Sequence, residues 1–78
     1  MNESEYVWFI TFHDENEKKI KCTKTATKAY DLCREYIKKR FKHCNPENYY
    51  NYLYKSFLRN PNEFDCGFIC SVKRIYVD

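Results

Sequence analysis

Glycine is almost missing from this chain, at one residue in 78, and alanine is nearly as scarce. Long hydrophobic runs are missing too. The apolar segment from Tyr6 to Phe12 is short and broken by Thr11, far below the ~20 residues of a membrane span. Met1-Asn2-Glu3-Ser4-Glu5 lacks the basic start of a secretory signal. No internal repeat, linker or low-complexity tract interrupts the chain, and no motif names a reaction or a cofactor. The Gly-rich aromatic consensus of ribonucleoprotein-type RNA readers is absent. Charge of one sign is not in large excess either. Fourteen basic and 11 acidic residues leave a net charge of +3, and the pI is near 8.6. A dedicated DNA binder usually exceeds about 9, and an acidic nucleic-acid mimic is excluded.

Against these absences stand eight Tyr, six Phe and one Trp. Disordered segments are poor in such residues, because without large apolar side chains they cannot offset the entropy of ordering. The chain therefore folds, as one domain over residues 1–78. A chain of this size buries only roughly 60–65% of its unfolded surface, so a deep active-site cavity would cost core it can scarcely lose. There are also more rings than so small a core can hide. Tyr pairs an apolar face with a hydroxyl that prefers a wet edge. The abundance of Lys, Asn, Tyr, Phe and Ile points to an AT-rich genome, as in low-GC bacteria, their phages and several viruses. Five cysteines, an odd number without a secreted-scaffold rhythm, imply reduced thiols in a cytosol.

Periodicity predicts the element order β-β-α-α-β. Tyr6–His13 and Lys18–Thr23, separated by the polar turn Asp14-Glu15-Asn16-Glu17, form a hairpin. Pairing Phe12 with Ile20 and Ile10 with Cys22 places Tyr6, Trp8, Ile10, Phe12, Ile20 and Cys22 on one apolar face. It leaves Val7, Phe9, Thr11, His13, Lys19 and Lys21 on the other, and this segregation selects the register. Thr25 caps a helix running to about His43, with Ala26, Ala29, Cys33, Ile37, Phe41 and Cys44 as its apolar stripe. Asn45-Pro46 starts a second helix, which Asn60-Pro61 closes. Its Tyr50, Leu53, Phe57 and Tyr49 face inward, leaving Tyr52 or Tyr54 toward solvent. A polar loop through Asp65 leads to a last strand over Phe68–Val77. The expected fold is an α+β two-layer sandwich, a three-stranded antiparallel sheet with both helices on one face.

Three constellations are candidate binding surfaces. The uncovered sheet face carries Phe9, Lys19 and Lys21, joined by Ile69, Lys73 and Ile75 or by Phe68, Val72 and Arg74. Rings interleaved with Lys on an open sheet suit single-stranded RNA. Such a patch more often meets protein, however, including a second copy of the chain as a homodimer. The basic helix end holds Arg34, Lys38, Lys39, Arg40, Lys42 and His43. Part of it complements the helix dipole, and the surplus suits phosphate or an acidic surface. The run Tyr49-Tyr50-Asn51-Tyr52-Leu53-Tyr54 cannot bury every ring, since neighbours on a helix diverge by ~100°. Exposed Tyr is enriched in protein-binding surfaces.

Zinc ligation by Cys66, Cys70, His43 and Cys44 is disfavoured. Four strand residues separate Cys66 from Cys70 by ~13 Å unless the chain bends at Gly67. Cys33 and Cys44 stand ~16 Å apart along a helix. The thiols are better explained as small buried hydrophobes, with no metal, no cofactor and no catalytic residue. The sequence thus points to a small cytoplasmic, non-enzymatic binding protein. It would act stoichiometrically as inhibitor or adaptor of a larger protein or nucleoprotein partner, without a membrane. A phage or mobile-element blocker of host defence, anti-CRISPR-like, is one example. Expected contacts are Lys38, Lys39, Arg40, Lys42, Tyr52, Tyr54 and Phe9 with Lys19 and Lys21. The alternative is a nucleic-acid-binding regulator using the basic helix end, with rings as stacking platforms.

Overall fold

The computed structural model describes residues 5–13 and 18–77; the turn expected at Asp14–Glu17 lies outside them. Two helices and four strands follow in the order β1 (Glu5–His13), β2 (Lys18–Thr23), α1 (Ala26–Arg40), α2 (Glu47–Arg59), β3 (Glu63–Asp65) and β4 (Cys70–Val77). The strands form one antiparallel sheet in the spatial order β2-β1-β4-β3. The class is α+β, as expected, but the sheet has four strands rather than three.

The additional strand is β3, only three residues long. It alternates Glu63-Phe64-Asp65, and Phe64 is buried to 2% exposure. Tertiary pairing with β4 makes it a strand, with Phe64 opposite Val72. The turn between them occupies Phe68 and Ile69, so β4 starts at Cys70 instead of Phe68. Gly67 has φ +60°, a conformation that costs an L-residue roughly 1–2 kcal/mol and glycine almost nothing. The Gly67 amide donates to Asp65 Oδ1 (3.2 Å). The Cys66 amide donates to the Cys70 carbonyl (2.9 Å) and the Ile69 amide to the Cys66 carbonyl (3.1 Å).

The helices follow the stripes that predicted them. Thr25 caps α1, its hydroxyl accepting from the Lys28 amide at 3.1 Å. Ala29, Cys33 and Ile37 are fully buried. The helix ends at Arg40 rather than His43, the chain leaving helical geometry at Phe41. Cys44, expected on the inner stripe, is therefore exposed. Asn45 Oδ1 accepts from the Glu47 amide (3.1 Å) and opens α2. Leu53 and Ser56 are its buried residues, and Tyr52 and Tyr54 are both about half exposed.

The core lies between the helices and one sheet face. Ile10 and Phe12 of β1, Cys70 and Val72 of β4 and Phe64 meet Ala29, Cys33 and Ile37 of α1 and Leu53 of α2. Burying each large aliphatic side chain contributes ~1.5–3 kcal/mol. Every element except β2 contributes to this cluster; all β2 residues but Thr23 are exposed.

The hairpin register differs from expectation by one residue. Thr11 pairs with Ile20, Phe9 with Cys22, Phe12 with Lys19 and Ile10 with Lys21. Lys19 and Lys21 therefore share the helix side of the sheet with Phe12 and Ile10, while Ile20 and Cys22 join Phe9 on the open side. Segregating apolar residues was the wrong criterion for this strand. At the sheet edge Ile20 remains 53% exposed, so little burial is at stake on either face. Lys19 and Lys21 instead line a cleft with Phe12, Leu32 and Tyr36, as long amphipathic side chains can do along an apolar wall.

Candidate binding surfaces

The register brings together two groups that the sequence had placed apart. Lys19 and Lys21 of β2 and Lys39 and Arg40 of α1 line one cleft of about 450 Å³, with Phe12, Leu32 and Tyr36 as its apolar residues. Among the described lining residues, Glu35 is the carboxylate. Arg40 is held in place. Its Nη1 donates to the His13 carbonyl at 2.8 Å and to the Tyr36 hydroxyl at 3.1 Å. The Tyr36 hydroxyl itself donates to the same carbonyl at 3.1 Å. This network ties the last turn of α1 to the end of β1, and it fixes the planar guanidinium at the cleft.

Lys38 and Lys42, expected beside them, point elsewhere. Lys38 lines a neighbouring groove between α1 and α2 with Lys28, Asp31, Arg34, Glu35 and Tyr50. Its charges are mixed, and the Arg34 guanidinium sits 4.7 Å over the Tyr50 ring. Lys42 is exposed in the turn beyond α1.

A second surface is apolar. Phe41, Tyr49, Tyr52, Phe68 and Ile69 surround a groove of about 490 Å³, with Asn48, Cys66 and Gly67 completing it. Phe41 and Tyr49 stack at 4.4 Å with an interplanar angle of 13°, giving it a rigid wall. Phe68 stands at the rim, 96% exposed, on a turn fixed by the hydrogen bonds above. Of the expected contact residues only Tyr52 belongs here. Tyr54 instead approaches Tyr30 edge-on at 6.3 Å. Sequence reasoning offered Phe68 only as one of two alternatives for the open sheet face, because it placed the residue in β4; the structure puts it in the turn before that strand, at the rim of this groove. The signal was present: it follows the one glycine directly.

The open sheet face is the third. Phe9 is there, opposite Lys73, and Ile75 and Val77 join it; of the first set weighed for the last strand, Lys73 and Ile75 lie on this face, whereas Ile69 lies in the turn before β4 and lines the apolar groove. Val72 and Arg74 face the helix side, Arg74 lying 4.1 Å over the Tyr6 ring. Without Lys19 and Lys21, and with Glu63 and Asp65 beside Phe9 in a shallow groove, this face no longer has the cationic character an RNA platform needs. Three carboxylates (Glu5, Glu63, Asp65) face two lysines (Lys18, Lys73) across it.

The cysteines divide into two kinds. Cys33, Cys66 and Cys70 are buried; Cys22 and Cys44 are exposed. The turn at Gly67 folds Cys66 back against Cys70, so the extended-strand distance assumed for this pair does not apply. Among the described residues no group of three His, Cys, Asp or Glu is placed to hold a metal ion. A side-chain hydrogen bond with Cys70 that favours the protonated form, and then burial, push the Cys33 thiol well above its ordinary range. Burial first, then Cys70 and Asp65, push Cys66 up to about 12. Thiols held protonated this firmly are poor nucleophiles and poor ligands.

No family model, curated protein or solved structure matches this chain. No helix among the described residues is long and apolar enough to cross a membrane.

Proposed function

We propose that this chain is a small, non-catalytic, cytoplasmic binding protein that acts stoichiometrically, as inhibitor or adaptor of a larger protein or nucleoprotein partner. The observation that carries the reading is Phe68. Its ring is 96% exposed, yet its backbone is pinned in a hydrogen-bonded turn beside the apolar groove of Phe41, Tyr49, Tyr52 and Ile69. Covering such a ring gains ~1.5–3 kcal/mol, and a pre-positioned anchor loses little entropy on binding. Aromatic anchors at the centre of a patch dominate protein interfaces. The AT-rich composition suits a phage or mobile element, and an anti-CRISPR-like block of a host defence nuclease is one concrete form of the reading.

The alternative, a nucleic-acid-binding regulator, draws on the basic cleft. A tagged pull-down from a low-GC bacterial lysate, with and without nuclease, separates the two. The reading predicts one large partner in fixed molar ratio that survives nuclease and is lost with Phe68→Ser. Retention of that partner by Phe68→Ser, or loss of every partner to nuclease with the wild-type chain, would contradict it.

A further inference from the structure

The geometry points to the cleft between β2 and α1 as a nucleoside-phosphate site, taking the phosphate of a nucleotide or of a nucleic-acid strand against its cations and the adjoining sugar or base against its apolar wall. This deepens the alternative reading and is independent of the protein-binding one, since the cleft and the Phe68 groove share no lining residue.

Three features combine. The first is convergence. Lys19 and Lys21 approach from a strand and Lys39 and Arg40 from a helix, so their positive potential is focused into a concavity rather than spread along one solvated helix face. Among the described residues, Glu35 is the carboxylate lining it. Capping of the α1 dipole explains cations on the last turn of the helix, but it does not explain the two on β2.

The second is a fixed arginine. A guanidinium carries five N–H donors in a planar fork suited to phosphate. The Nη1 bonds to the His13 carbonyl and the Tyr36 hydroxyl use two of them. The donors on Nε and Nη2 make no hydrogen bond to any described residue. The fork is therefore held in one orientation before a ligand arrives, which lowers the entropy lost on binding.

The third is size and character. About 450 Å³ lies within the usual range for small-ligand sites, and the wall of Phe12, Leu32 and Tyr36 is apolar. A bare anion has no use for such a wall, whereas a nucleotide joins phosphate to a flat, weakly polar base.

Fluorescein-labelled dT12 is the probe, with dTDP and inorganic pyrophosphate as competitors. The site predicts saturable binding of dT12, with log K falling by ~0.7 per contacted phosphate for each unit of log salt, a slope of roughly −2 to −3 for three or four contacts. Lys21→Glu with Lys39→Glu should weaken binding at least about tenfold. The charge-matched control Lys55→Glu with Lys73→Glu, on α2 and the open sheet face, should leave it within about twofold. Amide shifts of the wild-type chain on adding dTDP should cluster at residues 19–21 and 35–40, a readout that needs no variant to fold. Displacement of dT12 by submillimolar dTDP identifies a free nucleotide as the source, and displacement only by unlabelled dT12 identifies a strand; either supports the site. Equal weakening by both double variants, displacement by pyrophosphate as effective as by dTDP, or no binding of any probe at 50 mM salt would overturn it. Loss of a protein partner with Phe68→Ser bears on the other reading alone.

Discussion

The two edges of the sheet are built from similar raw material and end up doing opposite things. At the β3 edge a three-residue strand buries Phe64 to 2% exposure. Its backbone is tied to α2 through the Asp65 amide, which donates to Ser56 Oγ at 3.1 Å. At the β2 edge a six-residue strand contributes no residue to the core. The longer strand is the less important to folding. Length and alternation measure how well a segment can pair, whereas burial depends on what the helices lie across. Here α2 lies against β3, and the α1–β2 junction stays open as the basic cleft. The edge excused from packing is free to carry charge, and unpaired edges lined with Lys are also protected against sheet-to-sheet association.

Four outcomes would sharpen or break this contrast. The largest is Phe64→Ala, expected to cost about 3–5 kcal/mol by removing a buried ring, against less than about 0.5 kcal/mol for Ile20→Ala at the other edge. Urea unfolding of both variants measures it, and comparable losses would mean that the edges are equivalent. Next is Ser56→Ala, which strips the Asp65 amide of its acceptor and should cost about 1–3 kcal/mol.

Thr25→Ala comes third. It removes the cap that accepts from the Lys28 amide, at about 1 kcal/mol. Because α1 serves both edges, this loss should lower Tm without changing the relative protection of β2 and β3 amides in hydrogen exchange.

The smallest effect concerns the cysteines. The Cys66 thiol is pushed from an ordinary value of 9.0 to about 12 by burial, Cys70 and Asp65, and Cys33 is raised as well. The folded chain keeps these protons where the unfolded chain has lost them. Their contribution is therefore fully present below about pH 9 and is lost as pH rises toward 12. Cys66→Ala should flatten that alkaline decline. In the native state a thiol reagent should label Cys22 and Cys44 quickly, and Cys33, Cys66 and Cys70 only on unfolding. Rapid labelling of Cys66 would show the β3–β4 turn to be open.

Much of the architecture was legible because it depends on local, periodic signals. The α1 stripe and its Thr25 cap, the Asn45 start of α2 and the β1 alternation each specify structure within a few residues. Three things were not legible. In β3 one buried Phe between two acids lacks the length for a strand pattern, and only β4 makes it one. Phe68 looked like the first residue of a strand until the turn at Gly67 turned it outward. The β2 register was hidden for a deeper reason. Burial is what normally makes a one-residue slip costly, and an edge strand whose Ile20 is half in water carries little of that information. Lys39 and Arg40 were recognisable as candidates, but their union with Lys19 and Lys21 was not.

That register decides the cleft, and backbone NMR reads it directly. Cross-strand nuclear Overhauser contacts joining Thr11 with Ile20 and Phe9 with Cys22 are the predicted result. Contacts joining Phe12 with Ile20 and Ile10 with Cys22 would return Lys19 and Lys21 to the open face and remove the basic cleft.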